Sequence, residues 1–521
     1  MTFQKDATPV TSEPQATPEA KASHDSANPP ALLQFMTRDW KPKSAKLPSK
    51  IKGAQAFARR RRELSARFPG EWLVIPTGHE KVRANDTHYR FRPGTDFYYL
   101  TGNTEPDCVL VLEPLGDTAG AGHKDVLFVE PNPGKTDSTF FTDRVKGELW
   151  VGPRLGVPES RAAFDVHEAR GLPELAEYLT GARGGGRPMR VLRGMSQALD
   201  AQVPATDALD KELAEFLSEL RLIKDALEIR ELEGVIASTH RGFEDVIRQL
   251  RDGGTERHVE GVFNLRARVE GNDVGYGTIA ASGHHACVLH WTRNDGPLQK
   301  GELLLLDAGV EGNSLYTADV TRTLPVSGRF TKEQREVYEL VHRAQAAAFE
   351  AVKPGNDFLE PNRRAMRVLA EGLEKMGILE SAEEALKDEN LFYKRYTLHN
   401  VSHMLGLDVH DCAKARQETY KFGKLKAGMV LTVEPGLYFQ KDDLTVPAKY
   451  RGIGVRIEDD VLVTAKGMRN LTADIPSESR DVEAWMAGIW KGKKAAKSGG
   501  AAKVKAKVSR VLKRAAPRKS R

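Results

Sequence analysis

Short apolar runs bounded by turn-forming residues alternate with helical patterns along most of the chain. The runs are typical of strands because Gly, Pro, Asn or Asp brackets each one, and they lie at 72–76, 97–100, 108–112 and 126–129. Amphipathic spacing predicts helices at 54–68, 172–180, 203–222 and 225–250. Strands that alternate with helices predict an α/β fold class.

The same pattern predicts two folded domains between two poorly packed ends. We expect an N-terminal α/β domain at 53–200, a linker helix within 201–224 and a second α/β domain at 225–485. Residues 1–50 contain few large apolar side chains and many prolines, so we expect them to be mostly disordered, with loose contacts near 32–40. Residues 491–521 alternate Lys with Ala, Gly and Val, which is typical of a low-complexity tail.

The positive charge of the chain is concentrated in this tail. The net charge is +6, yet 13 of the 78 Lys and Arg residues lie in 491–521, which contains no Asp or Glu. The rest of the chain is therefore acidic. The tail is interpreted either as a non-specific nucleic-acid-binding segment or as a solubilising end. A second basic run, 59–62, lies on a predicted helix, where a solvated helix face is preferred over a basic patch.

Composition excludes several classes of protein. A chain of 521 residues buries a large core without covalent cross-links, and three cysteines with no CxxC pair argue against a disulfide framework and against a thiolate zinc site. No apolar run approaches the roughly 20 residues of a membrane span, so we expect no membrane partner. The N-terminus lacks the basic stretch and apolar core of a secretory signal, and we expect a cytoplasmic protein.

Predicted strands deliver four carboxylates. The apolar run 303–306 leads into Asp307, and a turn separates it from a strand at 315–323 that contains Asp319, so a hairpin would bring the two acids together. The strand 429–433 delivers Glu434 before a proline, which favours extended backbone there. Alternation at 454–459 predicts a strand with Arg456 and Glu458 on one face. Taken singly, these acids could equally be strand ends or surface residues.

Histidines 399, 403 and 410 fall within twelve residues. His399 and His403 would share one face of a helix, but no Glu lies between them as in an HExxH motif. Alone, the cluster is equally consistent with ordinary core or surface residues. Four carboxylates and one imidazole, however, suit Mn²⁺, Co²⁺, Zn²⁺ or Fe²⁺, and two divalent ions would neutralise four carboxylates.

These residues lie in motifs that resemble the pita-bread metallopeptidases and, within them, the aminopeptidase P family. The motifs read LDAG at 306–309, TADVTRT at 317–323, SHMLGLDVHD at 402–411, TVEPGLY at 432–438 and GIGVRIED at 452–459. The stretch YRFRPGTDFYYLTG at 89–102 extends the resemblance to the N-terminal domain. The resemblance covers about 53–485 and implies a creatinase/aminopeptidase-P-type N-terminal domain before a pita-bread catalytic domain.

The resemblance also implies roles for single residues. Asp307 would bind one metal ion, Asp319 and Glu458 would bridge two ions, and His403 and Glu434 would complete the second site. Glu434 would also carry the proton during hydrolysis. The remaining implied residues contact substrate or support those that do. His290 and His410 would hold substrate and stabilise the tetrahedral intermediate, His399 would line a proline pocket, and Tyr438 and Arg456 would support the site. Tyr98 would stand where bacterial members often carry a tryptophan that reaches a neighbouring subunit's site.

The implied activity is a dinuclear-metal aminopeptidase that releases the first residue of peptides with proline in second position, by attack of a metal-bridging hydroxide. The implied cofactors are two divalent ions, Mn²⁺ first and Co²⁺ or Zn²⁺ next, and the implied assembly is a homo-oligomer, a dimer or a tetramer. Two alternatives stay open here: a prolidase that cuts only Xaa-Pro dipeptides, and an inactive pita-bread binding module whose basic tail binds nucleic acid.

Overall fold

The computed structural model describes residues 27–43, 46–85, 87–118, 120–251 and 253–492. Its contacts form two compact units. The first extends to Met189 and includes Arg193–Pro204, and the second contains Arg190–Leu192 and the described chain from Ala205 onward. Most of the predicted basic tail lies outside the described residues, as does the first half of the predicted N-terminal extension. Among the described residues, no helix is both long enough and apolar enough to cross a membrane.

The first unit is built around a mixed sheet. Four of its strands lie side by side in the order β6, β5, β4, β1, antiparallel except where β5 pairs with β6. The strands of this unit are β1 (Trp72–Pro76), β2 (Val82–Ala84), β3 (Thr87–His88), β4 (Val109–Pro114), β5 (His123–Val129) and β6 (Glu168–Gly171), and β7 (Met189–Val191) follows where the first unit gives way to the second. The helices are α1 (Pro30–Met36), α2 (Ala54–Arg67), α3 (Thr95–Thr101), α4 (Thr139–Thr142), α5 (Glu148–Val151), α6 (Val157–Phe164), α7 (Leu175–Gly184) and α8 (Gln197–Gln202).

The strand predicted at 97–100 is wrong, because this segment is helix α3. A short apolar run does not distinguish a strand from a buried helical turn. The helix is favoured by an acidic residue in its first turn, Asp96, and by Gly102, which ends it in the left-handed region at φ 69° and donates its N–H to the carbonyl of Tyr98.

The solvated face predicted for the arginine run 59–62 is also wrong for its two central residues. Arg60 and Arg61 are 2% and 1% exposed. Arg61 donates to Asp125 at 2.7 Å and to the carbonyl of Leu100 at 2.9 Å, while the Arg60 guanidinium lies 4.1 Å from the ring centroid of Tyr99. Burial of these cations is tolerated because each has such partners.

The second unit wraps long helices around several small antiparallel sheets. Its helices are α9 (Asp207–Leu220), α10 (Ala226–Leu250), α11 (Glu256–Glu270), α12 (Lys332–Ala351), α13 (Glu360–Lys375), α14 (Ala382–Leu386) and α15 (Ser479–Trp490). Its strands are β8 (Asp273–Val274), β9 (Ile279–Ser282), β10 (Leu303–Asp307), β11 (Val310–Glu311), β12 (Thr321–Pro325), β13 (Val430–Val433), β14 (Gly436–Tyr438), β15 (Gly454–Arg456), β16 (Asp459–Thr464) and β17 (Gly467–Asn470). One apolar core joins these helices to the buried strand faces.

The predicted pairing after Asp307 is confirmed, but the strand predicted at 315–323 begins only at Thr321, so Asp319 lies before it. Strand β10 is antiparallel to β12, with Asp307 opposite Thr321. Beyond the strand, Gly309 passes so close to the second segment that a Cβ atom would lie 1.6 Å from the carbonyl oxygen of Ala318. Glycine is therefore required there, and its absence of a side chain lets the two segments that bear the acids approach each other.

Candidate metal centre

Two of the four carboxylates, Asp307 and Glu434, stand at strand ends, as predicted. Asp307 is the last residue of β10, and Glu434 directly follows β13. The prediction of one continuous strand at 454–459 is wrong, because β15 ends at Arg456 and β16 begins only at Asp459. Strand β15 pairs with β14, whereas β16 pairs with β13. Glu458 lies in the break between them and donates its N–H to the carbonyl of Thr321 at 3.1 Å.

The helical arrangement considered for His399 and His403 is wrong as well. The segment runs alongside β13: Thr432 donates its N–H to the carbonyl of His403 at 3.0 Å, and Glu434 donates to that of Val401 at 2.8 Å. Because these cross-chain hydrogen bonds replace helical ones, the segment is extended. Glu434 and His403 are thereby held on adjacent segments.

Three of the predicted ligands lie close together, and none of the three belongs to a helix. Asp319, His403 and Glu458 each offer one donor atom, and these atoms all lie within 4.8 Å of one another. The His403 Nε2 atom lies 3.3 Å from a carboxylate oxygen of Asp319 and 3.5 Å from one of Glu434. Among the described residues, this is the group of acidic and imidazole donors close enough to hold a metal ion.

Asp307 is held by two neighbours. One oxygen accepts a 2.6 Å hydrogen bond from the Tyr276 hydroxyl, and the other accepts one from Arg456 at 2.5 Å. Arg456 also donates to the Tyr438 hydroxyl at 3.0 Å. Sequence reasoning missed Tyr276, which precedes Asp307 by 31 residues and stands in no recognised motif.

Two further residues that sequence reasoning missed support the other carboxylates. Thr321 donates its hydroxyl to Glu458 at 2.6 Å, and Asp460 accepts the backbone N–H of Asp319 at 3.2 Å. The signal was present for both, since Thr321 lies in the TADVTRT motif and Asp460 directly follows GIGVRIED.

The electrostatics of the cluster favour a bound cation. Burial raises the pKa of Glu434 to about 7 against the attraction of His403 and Arg456, and burial together with neighbouring carboxylates raises the pKa of Glu458 well above its usual range. Burial lowers the pKa of His403, but its hydrogen bond to Asp319 and the charge of Glu434 overcome this and raise it to about 9. Clustered carboxylates with one imidazole nitrogen form a donor set that suits divalent metal ions.

The other predicted histidines border this cluster. The His410 ring lies 4.3 Å from that of His403, and His399 Nε2 lies 2.8 Å from the Tyr438 hydroxyl. Burial and the positive charge of Arg456 lower the pKa of His399 to about 4, and burial and the charge of His403 lower the pKa of His410. His290 is exposed beside them. The neutral form of His399 therefore predominates at neutral pH.

Tyr98 lies in the first unit, on helix α3. Its side chain is buried, and its ring packs edge-on against Phe57 at 6.0 Å between centroids. Its role in substrate binding stays a prediction.

Family models match both units. The model described as metallopeptidase family M24 matches residues 230–465, and the model described as the N-terminal domain of aminopeptidase P matches residues 57–188. The order of the two matches is the domain order implied by the sequence motifs.

Curated and solved relatives extend these matches over most of the chain. Xaa-Pro aminopeptidase 1 of Streptomyces coelicolor is 52% identical over 443 residues, which cover 84% of this chain and 88% of the relative. The structure of E. coli aminopeptidase P in its low-pH form superposes with a TM-score of 0.76 at 33% identity and covers 85% of this chain and all of that one. A zinc-substituted E. coli aminopeptidase P in complex with product has a TM-score of 0.74 at 32% identity, over 85% of this chain and 99% of that one.

Proposed function

Since the chain belongs to metallopeptidase family M24 and carries the N-terminal domain of aminopeptidase P, we propose that it releases the first residue of peptides that have proline in second position. The observation that carries this proposal is the convergence of Asp319, His403 and Glu458, whose donor atoms lie within 4.8 Å of one another. Neither alternative, the prolidase nor the inactive binding module, is favoured by the relatives that match the chain.

Divalent metal ions fit the cluster, and we propose how its residues hold them. Asp307 would hold one ion, His403 and Glu434 would hold the other, and Asp319 and Glu458 would contribute to both. When bound, two such ions lower the pKa of a water molecule, so that a nucleophile is available near neutral pH, and polarise the scissile carbonyl. The donor set also supports Mn²⁺ as the preferred ion, because oxygen ligands outnumber the single nitrogen.

Glu434 is the proton carrier in this proposal. Its carboxylate accepts a proton from the attacking water and returns it to the leaving proline nitrogen. One carboxylate oxygen of Glu434 lies 3.5 Å from His403 Nε2, and the other lies 3.5 Å from His399 Nδ1. Both oxygens are therefore held within the site.

Three histidines handle the substrate. His410 and His290 line the open side of the cluster, where a donor N–H stabilises the oxyanion that forms on the attacked carbonyl. His399, neutral and hydrogen-bonded to Tyr438, offers a ring face to the proline. Proline has no amide N–H and a fixed φ, so a shaped pocket recognises it where a hydrogen-bond acceptor would not.

We expect chelator-stripped protein to be inactive on an Xaa-Pro-Yaa tripeptide and to regain turnover when Mn²⁺ is added, with Co²⁺ and Zn²⁺ tested in parallel. The buried carboxylates need cations to serve as a catalytic site, which is the physical reason for the loss. Turnover is measured by release of the free first residue, and bound metal by elemental analysis.

The dipeptide Xaa-Pro is the matched control substrate. We expect slower release from it than from the tripeptide with the same first residue. Preference for the dipeptide would indicate a prolidase, and full activity without metal would contradict the proposed site. The homo-oligomeric state, the cytoplasmic location and nucleic-acid binding by 491–521 stay predictions from the sequence.

A further inference from the structure

Glu256 is a charged residue buried outside the metal cluster, and four donors surround it. It is 0% exposed. One oxygen accepts the backbone N–H of Ser282 at 2.7 Å and His285 Nδ1 at 2.8 Å. The other accepts Trp291 Nε1 at 2.8 Å and the backbone N–H of Gly296 at 2.7 Å. A carboxylate has about four acceptor positions, so this one is saturated.

The four donors all belong to one segment, 282–296, called the loop 282–296 below, which begins at the last residue of β9. They are residues 282, 285, 291 and 296. The ring of His285 stacks on that of Trp291 with 3.9 Å between centroids, so these two donors also pack against each other. His290 is the residue directly before Trp291, and it lies near enough to His399 and His410 to act on them electrostatically.

The position of Glu256 in the chain supports a charged side chain. It is the first residue of helix α11, whose N-cap Thr255 accepts the N–H of His258. The positive end of the helix dipole favours a carboxylate there. Its backbone N–H also donates to the carbonyl of Gly296 at 2.9 Å, so main chain and side chain hold the same end of the loop.

We propose that Glu256 is a positioning residue for His290: its carboxylate fixes the loop 282–296 and thereby the place from which His290 meets the peptide. The inference rests on the proposed function only where it assigns His290 to substrate. The four hydrogen bonds to the Glu256 carboxylate all come from this loop and not from the predicted metal ligands. A neutral amide at this position would offer one acceptor oxygen and turn two donors of its own toward the donors of the loop.

The test combines Glu256→Gln with His290→Ala in a double-mutant cycle on tripeptide turnover. Glu256→Gln alone is expected to lower kcat/KM by about 10- to 100-fold, the size of effect seen when the partner that orients a functional side chain is lost. In the His290→Ala background the same substitution is expected to change kcat/KM by less than about threefold, because its effect passes through His290. An equal loss in both backgrounds would overturn the inference.

Hydrogen–deuterium exchange of the loop provides a readout that does not depend on turnover. Exchange in peptides covering 282–296 is expected to be faster in Glu256→Gln than in wild type, with bound metal unchanged. Unchanged exchange in the loop would overturn the positioning role even if the peptidase activity is confirmed. A wild-type protein that fails to cut the tripeptide while the loop responds would refute the proposed function instead.

Two further variants keep the test decisive. Glu260 lies one turn along the same helix and forms none of the four hydrogen bonds described above. The kcat/KM of Glu260→Gln is therefore expected to stay within about twofold of wild type. Trp291→Phe removes a single donor and keeps an aromatic ring against His285. It replaces Glu256→Gln in the cycle and in the exchange experiment if the latter variant does not fold, with the same outcomes expected at smaller size.

Discussion

Replacing His403 with alanine is expected to lower kcat/KM for an Xaa-Pro-Yaa tripeptide by about 10⁴-fold, as loss of a residue that acts as part of a catalytic unit does. The His403 nitrogen lies 3.3 Å from Asp319 and 3.5 Å from Glu434 and is the imidazole donor of the converging group. Without it, the cluster loses its nitrogen ligand and keeps its carboxylates. Steady-state kinetics at saturating metal and the bound-metal stoichiometry measure the two effects together.

His258→Ala is the matched control, because this histidine is exposed on helix α11. Its turnover is expected to stay within about twofold of wild type. Circular dichroism spectra of both variants should overlay that of the wild type. Wild-type turnover by His403→Ala after metal removal and repletion would contradict the assignment of the metal site.

Replacing Asp411 with alanine is expected to destabilise the second unit by about 3–5 kcal/mol, because it leaves two buried cations without their counter-ion. Asp411 is 1% exposed and accepts from Arg221 at 2.9 Å and from Lys224 at 2.7 Å. It also follows His410 directly, so the ion cluster anchors the segment that carries two site histidines. The thermal midpoint is expected to fall by about 6 °C or more.

The pH dependence of this cluster has a defined sign. Burial raises the pKa of Asp411, but Lys224 and Arg221 overcome this and hold it well below its usual range. Its contribution is therefore present above the unfolded pKa of about 3.9 and is lost as the pH falls through the folded pKa. Burial lowers the pKa of Lys224, but Asp411 overcomes this and raises it, so that contribution is lost only as the pH rises through the raised value. Between about pH 5 and pH 9 the difference between wild type and Asp411→Ala should be constant.

The exposed pair of Asp357 and Lys424 is the control for this prediction. Their side chains are 44% and 61% exposed. Asp357→Asn is expected to leave the stability nearly unchanged, because solvent screens a surface pair. An Asp411→Ala variant as stable as Asp357→Asn would show that the buried cluster does not stabilise the unit.

The acids of the site were predictable because local pattern marks strand ends. The run 303–306 is wholly apolar, so its burial and the position of Asp307 at its end follow from the sequence alone, and the proline after Glu434 restricts the backbone at that residue. Strand β10 ends at Asp307, and β13 ends one residue before Glu434. The motifs then identified the family, since five separate segments occur in its order.

Local pattern failed where a short run fits two structures or where a distant partner decides the conformation. The helix of residues 97–100 and the extended segment around His403 have apolar or polar spacings that also fit the wrong structure. In the second case the hydrogen bonds to β13 come from residues about thirty positions later in the chain. Secondary structure that depends on such pairing does not follow from spacing.

Hydrophobic period and motif order are properties of neighbouring residues, so the α/β class, the apolar strands, the donor types and the family could be predicted without the fold. Three contacts could be learned only from the fold. Arg61 is buried against Asp125, 64 residues away, and Tyr276 donates a hydrogen bond to Asp307. Glu256 accepts hydrogen bonds from both ends of the loop 282–296. A buried charge is stable only beside the partners that the fold brings to it, and no local pattern records which partners those are.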